Sequence, residues 1–210
     1  IFLLGINVKN LNVMAEIKKQ ETKKNDNISV KINSDASTLR DVKLIFLDVD
    51  GVINTQDMWP GNMVPLSTKH MLIIAKIIDK TNANIVLSTT WRYMKNKRTK
   101  LIDKFKEIEI EYIKQNKRNI KIEIIGKTPH LKQLKLSERA KEIGLFIKKH
   151  NKIKYNIVNW IALDDMDLYA TDKPYNDECK SIMEGHFIKT NPEIGITDKD
   201  AQMAIKMLNK

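Results

Sequence analysis

From Val42 onward the chain alternates short, continuous apolar runs with longer stretches whose apolar residues recur at helical spacing. "VKLIFLDV" (42–49) is apolar almost throughout and stops at Asp and Gly, the pattern of a strand buried on both faces. In "PLSTKHMLIIAKIIDKTNAN", Leu66, Met71, Ile74, Ile77 and Ile78 form one stripe. Ser67 or Thr68 is placed to cap that helix, and Asn82 to Asn84 to stop it. "NIVLSTT" reads as a second buried strand, and "KRTKLIDKFKEIEIEYIKQNKRN" as a charged, loosely amphipathic helix. "IKIEIIG" reads as a third strand, "SERAKEIGLFIKKH" as a helix carrying Ala140, Ile143, Phe146 and Ile147, "NWIALDD" as a fourth strand and "GHFIKTN" as a fifth. "TDKDAQMAIKMLNK" closes the chain as a helix capped by Thr197 or Asp198. Strands alternating with helices at this spacing require right-handed crossovers and a parallel sheet covered on both faces. The expected fold is α/β: a Rossmann-like three-layer sandwich around a mainly parallel five-stranded sheet. Residues 1–41 lack aromatics after the opening "IFLLGINV", show no sustained period and are rich in Lys. They are expected to be a basic, flexible leader to a domain spanning 42–210.

Composition changes this picture in two respects. The net charge of +11 favours polyanionic partners through counterion release, although a chain rich in Lys, Ile and Asn together also follows from AT-rich coding. The single cysteine, Cys179, excludes an internal disulfide, and "IFLLGINV" is too short and interrupted to span a membrane. A soluble, cytoplasmic protein with no membrane partner is expected.

In parallel α/β sheets ligands bind beyond the carboxyl ends of the strands, where strand order switches. Polar residues gather at those ends: Asp48 and Asp50 after the first strand, Ser88 and Thr89 after the second, Asp164 and Asp165 after the fourth. Four carboxylates without histidine or cysteine beside them make a hard-oxygen site suited to Mg²⁺, which commonly joins one or two carboxylates to a substrate phosphate. Like charges this close raise each other's pKa unless a cation neutralises them.

These residues carry a resemblance. "DVDGV" (48–52) fits the D-x-D-x-[T/V] signature of the haloacid dehalogenase (HAD) superfamily. Ser88 after "IVL", a basic residue opening a later helix, and the acidic pair of "IALDDMD" stand where its later motifs belong. "LSTTWR" (87–92), "GKTP" (126–129), Arg139 to Ile147 and the "GIT" of 195–197 are similar to the patterns of the HAD domain of Swiss Army Knife RNA repair proteins. The resemblance implies that Asp48 is a nucleophile forming an aspartyl-phosphate and Asp50 the general acid and base. It implies Mg²⁺ held by Asp48, the Asp50 carbonyl, Asp164 and Asp165, with Ser88 on a phosphoryl oxygen and Arg139 offsetting its charge. Gly51 lets the backbone turn beside a phosphate. Many superfamily members carry Lys where Arg139 stands, so Lys135 and Lys141 compete with it; Thr89 competes with Ser88, and Asp167 with Asp165.

Trp91 and Arg92 are either a structural anchor and a surface charge, or flank the substrate with the indole stacking a base and the guanidinium on a phosphate. His70, His130, His150 and His186 are scattered and read as structural or surface. Only about a dozen residues, Gln56 to Ser67, separate the first motif from its helix, enough for a flap but not for a cap domain. An uncapped rim resembles family members acting on macromolecules. Residues 92–121, with eleven Lys or Arg against four Asp or Glu, form either a nucleic-acid track or a solvated helix face. The leading expectation is a Mg²⁺-dependent phosphatase acting on a phosphomonoester, the terminal phosphate of RNA or DNA being the candidate. The rivals are a small-molecule (nucleotide or sugar phosphate) phosphatase and a non-catalytic nucleic-acid-binding module.

Overall fold

A computed structural model describes residues 39–55, 66–131, 138–169 and 176–210. Most of the predicted leader, the flap residues 56–65 and Lys135 lie outside them. The described elements are β1 (Asp41–Leu47), α1 (Thr68–Thr81), β2 (Asn84–Leu87), a 3-10 turn (Thr90–Tyr93), α2 (Lys95–Asn116), β3 (Ile124–Lys127), α3 (Glu138–His150), β4 (Asn156–Asp164), α4 (Asn176–Met183), β5 (Phe187–Lys189) and α5 (Asp198–Leu208). The sheet has five strands in the order β3-β2-β1-β4-β5, and every neighbouring pair is parallel.

The apolar run of β1 explains the layering. Side chains alternate between the faces of a strand, and β1 sits at the centre of a sheet covered on both sides. Ile45 and Leu47 enter one core with residues of α1, α2 and α5. Leu44 and Phe46 enter the other with residues of α3 and α4. The Phe146 and Trp160 rings each form a T-shaped pair with Phe46 at a centroid distance of 5.5 Å, filling that second core.

The helix boundaries follow local chemistry. The Ser67 hydroxyl accepts the N–H of His70 at the start of α1, and Asn82 ends that helix in the left-handed region at φ 55°. Thr197 and Asp200 form a reciprocal capping box at α5. Two predictions shift. β3 is shorter than the run "IKIEIIG" suggested, because the chain entering it is held by side chains: the Ile122 N–H donates to the Glu109 carboxylate, and Glu123 pairs with Arg40 and Lys121. The sequence reading gave no helix between the fourth and fifth strands, yet α4 is there and buries Cys179 and Met183. Among the described residues, no helix is long and apolar enough to cross a membrane.

Candidate active site

The strand order reverses between β1 and β4, so their carboxyl ends open the crevice in which such sheets bind ligands. Backbone hydrogen bonds carry the parallel ladder one step past the strands. Thr128 N–H donates to the Leu87 carbonyl, Ser88 to Leu47, Asp48 to Leu163 and Thr190 to Asp164, over 2.9–3.0 Å. Thr128, Ser88, Asp48, Asp164 and Thr190 therefore stand in a row along one rim.

Asp48 is the centre of that row. Its Oδ1 accepts the Val49 N–H at 2.8 Å, its Oδ2 receives Arg139 Nη1 at 2.5 Å, and the Thr89 side chain also bonds to it. The same Nη1 reaches Asp164 Oδ2 at 2.7 Å, while Asp164 Oδ1 accepts the Met166 N–H at 3.0 Å. Asp48, Asp164 and Asp165 each bring one carboxylate oxygen within 4.8 Å of the others. Burial pushes the Asp48 pKa above the ordinary carboxylate value, against the pull of Arg139. Burial and the neighbouring Asp48 push Asp164 up to about 8, and the same two causes raise Asp165. Burial acts to lower the Arg139 pKa, but Asp48 and Asp164 beside it drive it above its usual value.

This donor set fits a hard divalent cation. It is all oxygen, crowded, and charged beyond what one guanidinium offsets, and a Mg²⁺ ion is the simplest relief. The Asp50 carboxylate does not join the three. It accepts the Trp91 indole N–H at 2.9 Å and Asn54 Nδ2 at 3.4 Å.

The open alternatives separate on geometry. The Ser88 hydroxyl is buried and meets no hydrogen-bond partner among the described residues, whereas Thr89 is engaged with Asp48 and accepts the Trp91 N–H. Asp167 turns to the Tyr169 N–H and Lys189 rather than to the carboxylate cluster, where Asp165 lies. Arg139 faces that cluster from the first turn of α3. Lys141, two residues on, points about 200° further round the helix, and Lys135 lies outside the described residues.

At Trp91 the structural-anchor alternative holds, and the expectations for Arg92 and Gly51 are corrected. Trp91 is only 1% exposed, so its ring has no open face to stack a base; it is the donor that fixes Asp50. Arg92 is 3% exposed and spends its guanidinium on Glu142 at 2.6 Å and on the carbonyls of Thr89, Thr128 and Pro129, leaving no arm for a phosphate. Gly51 donates its N–H to the Asn54 carbonyl, and its own carbonyl accepts the Thr190 hydroxyl. Its φ of 77°, and an Asp165 Cγ only 2.3 Å from where a Cβ would stand, show that glycine is needed to seat Asp165.

Glu142, Thr190 and Asn54 were missed by sequence reasoning. Glu142 belonged to a motif already noted, but its partner lies 50 residues away. The terminal "GIT" is structural too. Ile196 N–H donates to Val52, and Gly195, at φ 73°, lets His70 approach while that ring bonds the Ile53 carbonyl. His150 and His186 likewise bond backbone carbonyls and stack on Phe146 and Trp160.

No curated protein and no solved structure matches the chain. The family model of the HAD domain in Swiss Army Knife RNA repair proteins matches residues 44–201, from within β1 into α5. HAD domains are generally phosphatase-type hydrolases that use Mg²⁺. Spanning most of the chain and every strand of the sheet, that match shows that the protein belongs to this HAD domain family.

Proposed function

We propose that the protein is a Mg²⁺-dependent phosphatase that hydrolyses a phosphomonoester through an aspartyl-phosphate on Asp48, acting on the terminal phosphate of RNA or DNA. The observation that carries this reading is the bridge made by Arg139 Nη1 between Asp48 and Asp164, with the unpartnered Ser88 hydroxyl on the adjoining strand end.

Asp48, Asp164, Asp165 and the Asp50 carbonyl would hold the cation, which when bound neutralises charge between the carboxylates and the phosphoryl oxygens. An Asp48 carboxylate oxygen attacks phosphorus in line, and the bond to the leaving oxygen breaks. Asp50 gives that oxygen its proton, then takes one from the water that cleaves the acyl phosphate and restores Asp48. Trp91 aims the Asp50 carboxylate through its indole N–H. Ser88 donates its hydroxyl proton to a phosphoryl oxygen, satisfying the group that has no partner among the described residues. Arg139 offsets negative charge on the transferring group.

The test compares end-phosphorylated oligonucleotides with nucleotides and sugar phosphates, with and without Mg²⁺, for wild type and Asp48→Asn. Mg²⁺-dependent release of phosphate from oligonucleotides, abolished in Asp48→Asn with the fold intact, is expected. Wild-type turnover by Asp48→Asn overturns the nucleophile. Hydrolysis of small phosphates alone at low salt overturns the polynucleotide substrate.

A further inference from the structure

A groove of about 740 Å³ lies between α3 and the β3 edge of the sheet. Its apolar wall is Ile125, Leu145 and Phe146. Tyr93, 42% exposed, presents its ring there, tilted against His130 at a centroid distance of 4.8 Å, with the Lys127 ammonium 5.4 Å from the ring centre. Lys148, Lys149 and Lys154 continue the lining, and no carboxylate lies among the described lining residues. Arg92 Cζ covers part of the Tyr93 ring at 4.4 Å and the rest is open to solvent. Clustered ammonium groups beside that half-exposed ring, with no counter-charge in the lining, suit a single-stranded polynucleotide: phosphates meet the lysines and a base packs against the open part of the ring.

The groove adjoins the catalytic rim. Thr128, in its lining, donates its N–H to Leu87, the residue before Ser88. Arg92 links the Tyr93 hydroxyl to Glu142, one helical turn from Arg139. The basic helix α2 is a weaker candidate, since Lys104 and Lys106 pair with Glu107 and Asp103 on its own surface.

We propose that this groove binds the body of a single-stranded polynucleotide, with Lys127, Lys148, Lys149 and Lys154 on its phosphates and Tyr93 under a base. The inference rests on the proposed function for its purpose, the delivery of a strand end to the Ser88 rim, but its test needs no turnover.

The probe is a short fluorescent oligonucleotide without a terminal phosphate, made as RNA and as DNA and titrated by anisotropy across a salt series. p-Nitrophenyl phosphate hydrolysis is followed in parallel. For Lys148→Glu/Lys149→Glu we expect binding weakened about tenfold and the slope of log affinity against log salt reduced by about 1.4, with p-nitrophenyl phosphate turnover unchanged. Tyr93→Leu, which keeps apolar bulk but removes the π face, should weaken binding at least about fivefold. Equal binding by wild type and the double-lysine variant, or competition by polyglutamate as effective as that by unlabelled oligonucleotide, overturns the groove assignment. Failure of the phosphatase reading would look different: no p-nitrophenyl phosphate turnover, with variant-sensitive oligonucleotide binding intact.

Discussion

Arg139 meets both of its carboxylates through the same nitrogen, Nη1, so it acts as a point charge placed between them rather than as a two-pronged fork. A lysine long enough to reach that point supplies the same field. Arg139→Lys should therefore keep phosphatase turnover within about tenfold of wild type, whereas Arg139→Met should lower it by roughly 10²–10³, the usual cost of losing one preorganised charge at a developing anion. Steady-state rates on one phosphomonoester check both, and equal losses in the two variants would refute the point-charge account. Gly51 makes the opposite kind of contribution, by lacking atoms. A methyl group there would meet the Asp165 Cγ at 2.3 Å on a backbone already at φ 77°. Gly51→Ala should cost about 3 kcal/mol, combining the left-handed penalty with overpacking, and urea denaturation measures it.

Helix α3 brings Arg139 to the rim, and the residue that fixes α3 is Glu142, one turn later on the same helix. Its carboxylate receives Arg92 at 2.6 Å and the Leu131 N–H at 3.0 Å, tying α3 to the 3-10 turn and to the chain after β3 in one buried junction. Breaking one partner of a buried pair leaves the other charge uncompensated, at roughly 3–5 kcal/mol. Glu142→Ala should lose that much stability and, in the fraction that stays folded, lower kcat more than KM, because Arg139 would no longer be held between Asp48 and Asp164. A stable Glu142→Ala protein with wild-type kcat would show that the junction does not position Arg139. Gly126 serves the same junction: a Cβ there would stand 2.9 Å from the Phe146 ring of α3, so a side chain would push the helix off the sheet.

Across the whole molecule, what could be read from the sequence was local, and what could not was long-range. The apolar run that ends at Asp48, the Ser67 and Thr197 caps, and the order of strands and helices are each set within a few residues, and the five-stranded parallel sheet follows from them. The sequence leaves Trp91 open between an anchor and a base-stacking ring because its partner, Asp50, is 41 residues away, and Arg92 between a surface charge and a phosphate ligand because Glu142 is 50 away; burial that depends on such pairings leaves no periodic trace. Helix α4 escaped because eight residues make too few turns for a stripe to register. The carboxylate cluster is the largest consequence of long-range assembly. Strand order brings Asp164 and Asp165, more than a hundred residues on, to within 4.8 Å of Asp48. Two of these carboxylates, when both are ionised at that spacing, repel by about 3.5 kcal/mol at an effective dielectric constant near 20; with burial, this repulsion pushes Asp164 up to about 8 despite the guanidinium beside it. A bound divalent cation removes this repulsion only in the folded state, so it must stabilise the fold by linkage. At Mg²⁺ a hundredfold above its Kd the gain is about 2.7 kcal/mol, or roughly 5–10 °C in Tm for a domain of this size. Asp164→Asn keeps an oxygen for the Met166 N–H but loses the charge, so its Tm should be nearly indifferent to Mg²⁺. Differential scanning fluorimetry with and without EDTA reads both proteins. An equal Mg²⁺ shift in wild type and Asp164→Asn would move the cation away from this rim.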